Sequence, residues 1–149
     1  MEVSEPQTLE RRRERPVRKK KEFTLLYVDD ELPNLRGFKT TFRRFYNIFT
    51  ADNPMEAMDI VKSEKIDIVV SDHRMPHLLG TDLLREVHEY DPKIGRMILS
   101  GFIKRDELKE AVESFGIHGF VTKPWDFEDL KGLFEGLLQS KDRELMEFS

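Results

Sequence analysis

The sequence predicts an α/β fold in which five parallel strands alternate with five helices. Short apolar runs recur along the chain, each closed by polar or turn residues, as buried strands require. Between them, apolar residues return at helical spacing. No internal repeat or low-complexity linker interrupts this alternation between residues 22 and 140, so the segment reads as one domain.

Phe23-Thr24-Leu25-Leu26-Tyr27-Val28 is the first strand, closed by acidic residues. Leu35, Phe38, Phe42 and Phe45 then follow at helical spacing, with Pro33 in the first turn. Ile48 to Ala51 is a second, shorter strand, and Asn53-Pro54 opens a helix carrying Ala57, Met58 and Val61. Ile66 to Ser71 is the third strand. After a loop with Pro76 and Gly80, Leu83, Leu84 and Val87 mark the third helix. Met97-Ile98-Leu99 is the fourth strand, and Leu108, Ala111, Val112 and Phe115 a fourth helix ending near Gly116. Gly119 to Thr122 is the fifth strand, and Leu130, Leu133, Phe134 and Leu137 line the last helix.

Such a pattern calls for a parallel sheet covered on both faces. Right-handed crossovers leave few arrangements, and a doubly wound, flavodoxin-like (βα)5 sheet of order 2-1-3-4-5 fits. That order is borrowed from known sheets of this kind; it puts the shorter second and fifth strands at the edges.

The net charge of −4 hides an asymmetry, because residues 11 to 21 carry eight basic side chains against one acidic one. Residues 1–21 are expected to form a disordered basic arm, 22–140 the domain, and 141–149 a tail. The arm reads first as a solvated tail; the alternative is contact with nucleic acid or an anionic surface. Cysteine is absent, which removes disulfides and thiolate chemistry. No apolar run approaches the ~20 residues of a membrane span, and the basic N-terminus lacks the apolar core of a secretory signal. A cytoplasmic protein is expected. The residues after 140 are too few for an output domain, so the chain is expected to act alone or as part of a longer one.

Ligands of such sheets bind beyond the carboxyl ends of the strands. There stand Asp29, Asp30 and Glu31 after strand one, and Asp72-His73-Arg74-Met75-Pro76 after strand three. Ser100-Gly101 closes strand four, and Lys123-Pro124-Trp125 follows strand five. Three neighbouring carboxylates repel: at ~4 Å and an effective dielectric of ~20, each pair opposes the fold by ~4 kcal/mol. A divalent cation relieves this, and all-oxygen ligation favours Mg²⁺. Lys123 adds a mobile positive charge, and Ser100 a hydroxyl able to donate to an oxyanion. Nucleophile, metal, cation and hydroxyl are the parts of phosphoryl transfer to a carboxylate.

The acidic pair after strand one, Asp72 with Pro76 four residues on, Ser100-Gly101 and Lys123-Pro124 together resemble the signature of response-regulator receivers of two-component systems. Each element is weak alone; four at the right strand ends, in order, are specific. The resemblance spans residues 22 to 140. It implies that Asp72 is the phosphoacceptor, taking its phosphoryl group from a histidine kinase, a phosphotransfer protein or a small phosphodonor. It further implies that Asp30, Asp72 and the backbone carbonyl of Arg74 bind Mg²⁺, with Asp29 as an auxiliary acid. Ser100 and Lys123 would contact the phosphoryl oxygens, and Ser100 and Phe120 would form the switch. Lys123-Pro124 would be a cis peptide. The implied partners are a kinase and a downstream protein or output domain, or a second copy in a homodimer. Catalysis would be limited to the protein's own phosphorylation and dephosphorylation, so it is not expected to be an enzyme. The Arg-Met-Pro and Lys-Pro-Trp-Asp sequences resemble a subgroup often joined to cyclic-dinucleotide phosphodiesterase or other enzymatic outputs.

Two other readings use the same rim. A metal-dependent phosphohydrolase would need a second general acid/base and a capping segment, which these short connections do not offer. A receiver-like scaffold that takes no phosphate is opposed by the intact polar set. Arg74 and Phe102, each two residues after a site residue, stand where they could restrict an attacking water. Phe120 could equally be plain core. His73 and His77 are four apart, but Pro76 argues against a helical metal pair; His88 and His118 are read as structural, without partners.

Overall fold

The structure, a computed structural model, describes residues 21–148, with side chains through Ser140. Apart from Lys21, the predicted basic arm lies outside the described residues. In chain order the elements are β1 (Thr24–Val28), α1 (Leu32–Phe42), β2 (Asn47–Ala51), α2 (Pro54–Ser63), β3 (Ile68–Ser71), α3 (Gly80–Tyr90), β4 (Gly95–Ser100), α4 (Arg105–Ser114), β5 (Gly119–Thr122) and α5 (Phe127–Phe148). All strand pairs are parallel, and the sheet order is β2-β1-β3-β4-β5, as predicted.

Every residue of β1, β3 and β4 is buried, because helices cover both faces of a parallel sheet. Successive side chains of a strand point to opposite faces, so β1 divides its residues between two cores. Leu25 and Tyr27 join Phe38, Phe42 and Phe134 on one side. Leu26 and Val28 join Val69, Leu83, Leu84 and Ile98 on the other. The first core is largely aromatic: the Tyr27 and Phe38 rings stack at 4.4 Å, and Phe42 meets Trp125 at 5.5 Å and Phe134 at 5.3 Å.

Helix starts follow local chemistry. Asn53 caps α2 by accepting the Glu56 N–H at 2.9 Å, and Pro54 needs no partner in the first turn. Pro33 does the same service in α1.

Four sequence expectations need correction. β2 has five residues, as many as β1 and more than β3, so it is not shorter; β5, with four, is, and shallower burial marks both edge strands. Phe45 lies beyond α1, 43% exposed, with its ring 5.7 Å from Phe127. The helix closes at Phe42 because the next residues turn back to β2, the Phe45 N–H bonding to the Phe42 carbonyl. α5 continues through Phe148, past the boundary where a tail was expected. The apolar periodicity stops near Leu138, but residues 141–148 contain good helix formers and neither Gly nor Pro, so the backbone has no reason to stop with it.

The fourth correction concerns α4, whose predicted apolar stripe is mostly not interior. Only Ala111 is buried, and Val112 is half exposed. Polar contacts tie this helix down instead. His73 meets Glu107 in its first turn, and Arg85 of α3 donates to Ser114 at 2.9 Å and pairs with Glu110 at 3.2 Å. Arg96 of β4 donates to the carbonyl of Gly116 at 2.9 Å just beyond its last turn. None of the helices among the described residues is long and apolar enough to cross a membrane.

Candidate functional site

The sheet ladder continues one residue beyond several strands, and this brings the polar residues together. Asp29 N–H donates to Ala51 O at 3.1 Å, Asp72 N–H to Val28 O at 2.8 Å, and Lys123 N–H to Ser100 O at 3.0 Å. Asp29, Asp72, Ser100 and Lys123 therefore stand on one rim by backbone registration. Oxygens of Asp29, Asp30 and Asp72 lie within 4.8 Å of one another.

The three carboxylates are differently placed. Asp29 is fully buried and saturated with donors: its Oδ2 accepts from the Tyr27 hydroxyl at 2.6 Å, Lys123 Nζ at 2.8 Å and Asn34 Nδ2 at 3.0 Å. Its Oδ1 accepts the Glu31 N–H at 2.9 Å. Burial pushes its carboxyl upward, but the bonds from Lys123, Tyr27 and Glu31 prevail and hold it below the usual carboxylate range. Asp72 is 8% exposed, and its Oδ1 accepts the His73 N–H at 2.8 Å. Burial raises its carboxyl above the ordinary value; Lys123 and Ser100 pull down, Asp29 pushes up, and the balance stays raised. Asp30 is exposed, and among the described residues no side chain or backbone N–H is bonded to its carboxylate.

Lys123 leans toward Asp29, since its Nζ is 3.8 Å from Asp72 Oδ1. The Lys123-Pro124 peptide is cis. Ser100 is 2% exposed, and its hydroxyl donates to Phe102 O at 3.2 Å. Arg74 lies with its guanidinium carbon 5.5 Å from the centroid of the exposed Phe102 ring, so the two residues expected to restrict access are in contact. Phe120 is partly buried against the core shared by β1, β3 and β4.

An oxygen-only set of one exposed carboxylate and one slightly exposed carboxylate, with Asp29 behind them, fits a hard, partly hydrated cation such as Mg²⁺.

Four features of the site escaped the sequence reading. The sequence pattern shows Tyr27 only as a strand residue, yet its hydroxyl holds Asp29; burial, then the bond to Asp29, pushes the phenol far above its ordinary range and keeps it a donor. Asn34 holds the same oxygen. His73, fully buried, reaches Glu107 Oε1 with Nε2 at 3.1 Å and so links the residue after Asp72 to α4. Gly80 packs so tightly under the loop that a Cβ there would lie 2.2 Å from the Asp72 carbonyl oxygen. His118 is structural but not without a partner: its Nδ1 accepts the Arg96 N–H at 3.0 Å.

Residues 25–135 match the family of response regulator receiver domains, and the chain belongs to that family. It is 32% identical to the chemotaxis protein CheY of Pseudomonas aeruginosa over 119 residues, covering 77% of this chain and 95% of that protein. It is 30% identical over 105 residues to the hydrogenase transcriptional regulatory protein HoxA of Cupriavidus necator, covering 70% of this chain. The match spans only 22% of HoxA's own length. Among solved structures, an uncharacterised protein of Neptuniibacter caesariensis superposes with a TM-score of 0.76 at 34% identity, over 85% of this chain and 95% of that one.

Proposed function

We propose that this protein is a phosphoacceptor receiver in which Asp72 takes a phosphoryl group from a histidine kinase or phosphotransfer protein and the fold changes shape to control a partner. The observation that carries the reading is the convergence of Asp72, Lys123 and Ser100 beside an exposed carboxylate on one rim. A carboxylate oxygen of Asp72 attacks phosphorus, the bond from phosphorus to the donor nitrogen or oxygen breaks, and its electron pair leaves with the donor. Asp30, Asp72 and the carbonyl of Arg74 would hold Mg²⁺, which supplies positive charge to the phosphoryl oxygens. Lys123 swings the short distance from Asp29 to a phosphoryl oxygen, and the Ser100 hydroxyl leaves Phe102 O to donate to another. Water attack on phosphorus later restores the Asp72 carboxylate, past the Arg74–Phe102 pair. This chemistry acts on the protein itself in the cytoplasm, and a phosphodonor is consumed only through the Asp72 carboxylate. Absence of hydrolysis of a small phosphate ester separates it from a phosphohydrolase.

The shape change proceeds from Ser100 to Phe120, and from the acceptor loop to α4 through His73 and Glu107. α4 suits this role because so little of it is buried. Its exposed face with β5 and α5 would meet the output domain, a downstream protein or a second copy. Beryllofluoride, a phosphoryl mimic, is therefore expected to shift amide resonances of residues 102–122 as well as those of the rim, and only with Mg²⁺ present. Shifts confined to residues 29–31 and 72–76 would contradict this route.

A further inference from the structure

Resting on that reading, we infer that Tyr27 is a positioning residue for the acidic pair: its hydroxyl occupies Asp29 Oδ2 and keeps Asp29 an auxiliary acid, leaving Asp30 to bind the cation. Tyr27 is 1% exposed and its ring is fixed by the stack on Phe38, so the hydroxyl is held at 2.6 Å from Asp29 Oδ2. A strand places residues i and i+2 on the same face, which aims Tyr27 and Asp29 at one another. The same oxygen already accepts from Lys123 and Asn34, and Oδ1 from a backbone N–H.

Donors and a metal compete for the same lone pairs and the same negative charge. An Asp29 carboxylate engaged by four donors has little of either to offer; Asp30, with none among the described residues, has both. The hydroxyl also weakens the grip of Asp29 on Lys123, because it withdraws charge from the oxygen to which Nζ is bonded. Tyr27 thus acts at two points of the phosphoryl site without touching the phosphoryl group.

The test is calorimetric titration of Mg²⁺ into the full chain, wild type and Tyr27→Phe, with no phosphodonor. Phenylalanine keeps the ring stack and removes only the hydroxyl. Mg²⁺ binding is expected to tighten about three- to tenfold, the range of one hydrogen bond net of water. In an Asp29→Asn background the same substitution is expected to change nothing, because no carboxylate remains to be held. A purely structural role for Tyr27 would survive in that background. Equal or weaker affinity in Tyr27→Phe overturns the role of Tyr27 and leaves the phosphoacceptor reading standing. Absence of Mg²⁺ binding by wild type as well overturns both.

Discussion

Gly80→Ala is expected to lower the free energy of unfolding by about 3 kcal/mol, at the upper end of the range for overpacking a tight interior. The added Cβ would meet the Asp72 carbonyl oxygen at 2.2 Å and the His73 Cα at 2.9 Å, both backbone atoms. Neither side can retreat cheaply. Asp72 N–H is bonded to Val28 O, and Gly80 N–H to His73 O at 2.7 Å, so relief of the clash breaks one or both. Urea denaturation measures the effect as a lower midpoint at unchanged slope. The surviving folded fraction should also label poorly, because the clash displaces the backbone that carries Asp72, the proposed acceptor. An unchanged midpoint would mean that the β3–α3 loop is far softer than its hydrogen bonds imply.

Lys123→Met is expected to slow phosphorylation of Asp72 by roughly 10²-fold, comparable to loss of one preorganised donor at a developing charge. The ammonium is the only positive side-chain charge among the described residues paired with both Asp29 and Asp72. Without it, a phosphoryl group arriving beside three carboxylates has only the bound cation to offset their repulsion. Mg²⁺ binding should at the same time tighten, since a competing cation has gone. Single-turnover labelling at saturating Mg²⁺ separates the two effects. A rate that falls only because metal binding falls would contradict the assignment of Lys123 to the phosphoryl oxygens.

The sheet and the main site residues were legible because both depend on short-range pattern. Apolar runs mark the strands, and a parallel sheet turns the residues at each strand's carboxyl end into rim residues, which is why the sequence alone groups Asp29, Asp72, Ser100 and Lys123. What pattern cannot carry is contact between distant segments. His73 and Glu107 are 34 positions apart, and nothing in either neighbourhood announces their meeting. Gly80 was visible as a loop glycine, but the backbone it must clear is set by the path of β3. The α4 stripe misled because apolar spacing shows that a helix has a face, not that another element covers it. Tyr27 was within reach: a hydroxyl two places before a strand-end carboxylate shares its face.

The central claim is that Asp72 carries the phosphoryl group. Intact-mass measurement after incubation with acetyl phosphate and Mg²⁺ tests it most directly, on wild type and Asp72→Asn side by side. Asparagine removes the nucleophilic carboxylate and one charge of a crowded cluster, so the variant should fold at least as stably without metal. Wild type should gain the mass of one phosphoryl group, lost again when Mg²⁺-dependent hydrolysis is allowed to run, while Asp72→Asn stays at its starting mass. Equal phosphorylation of the two proteins would contradict the account.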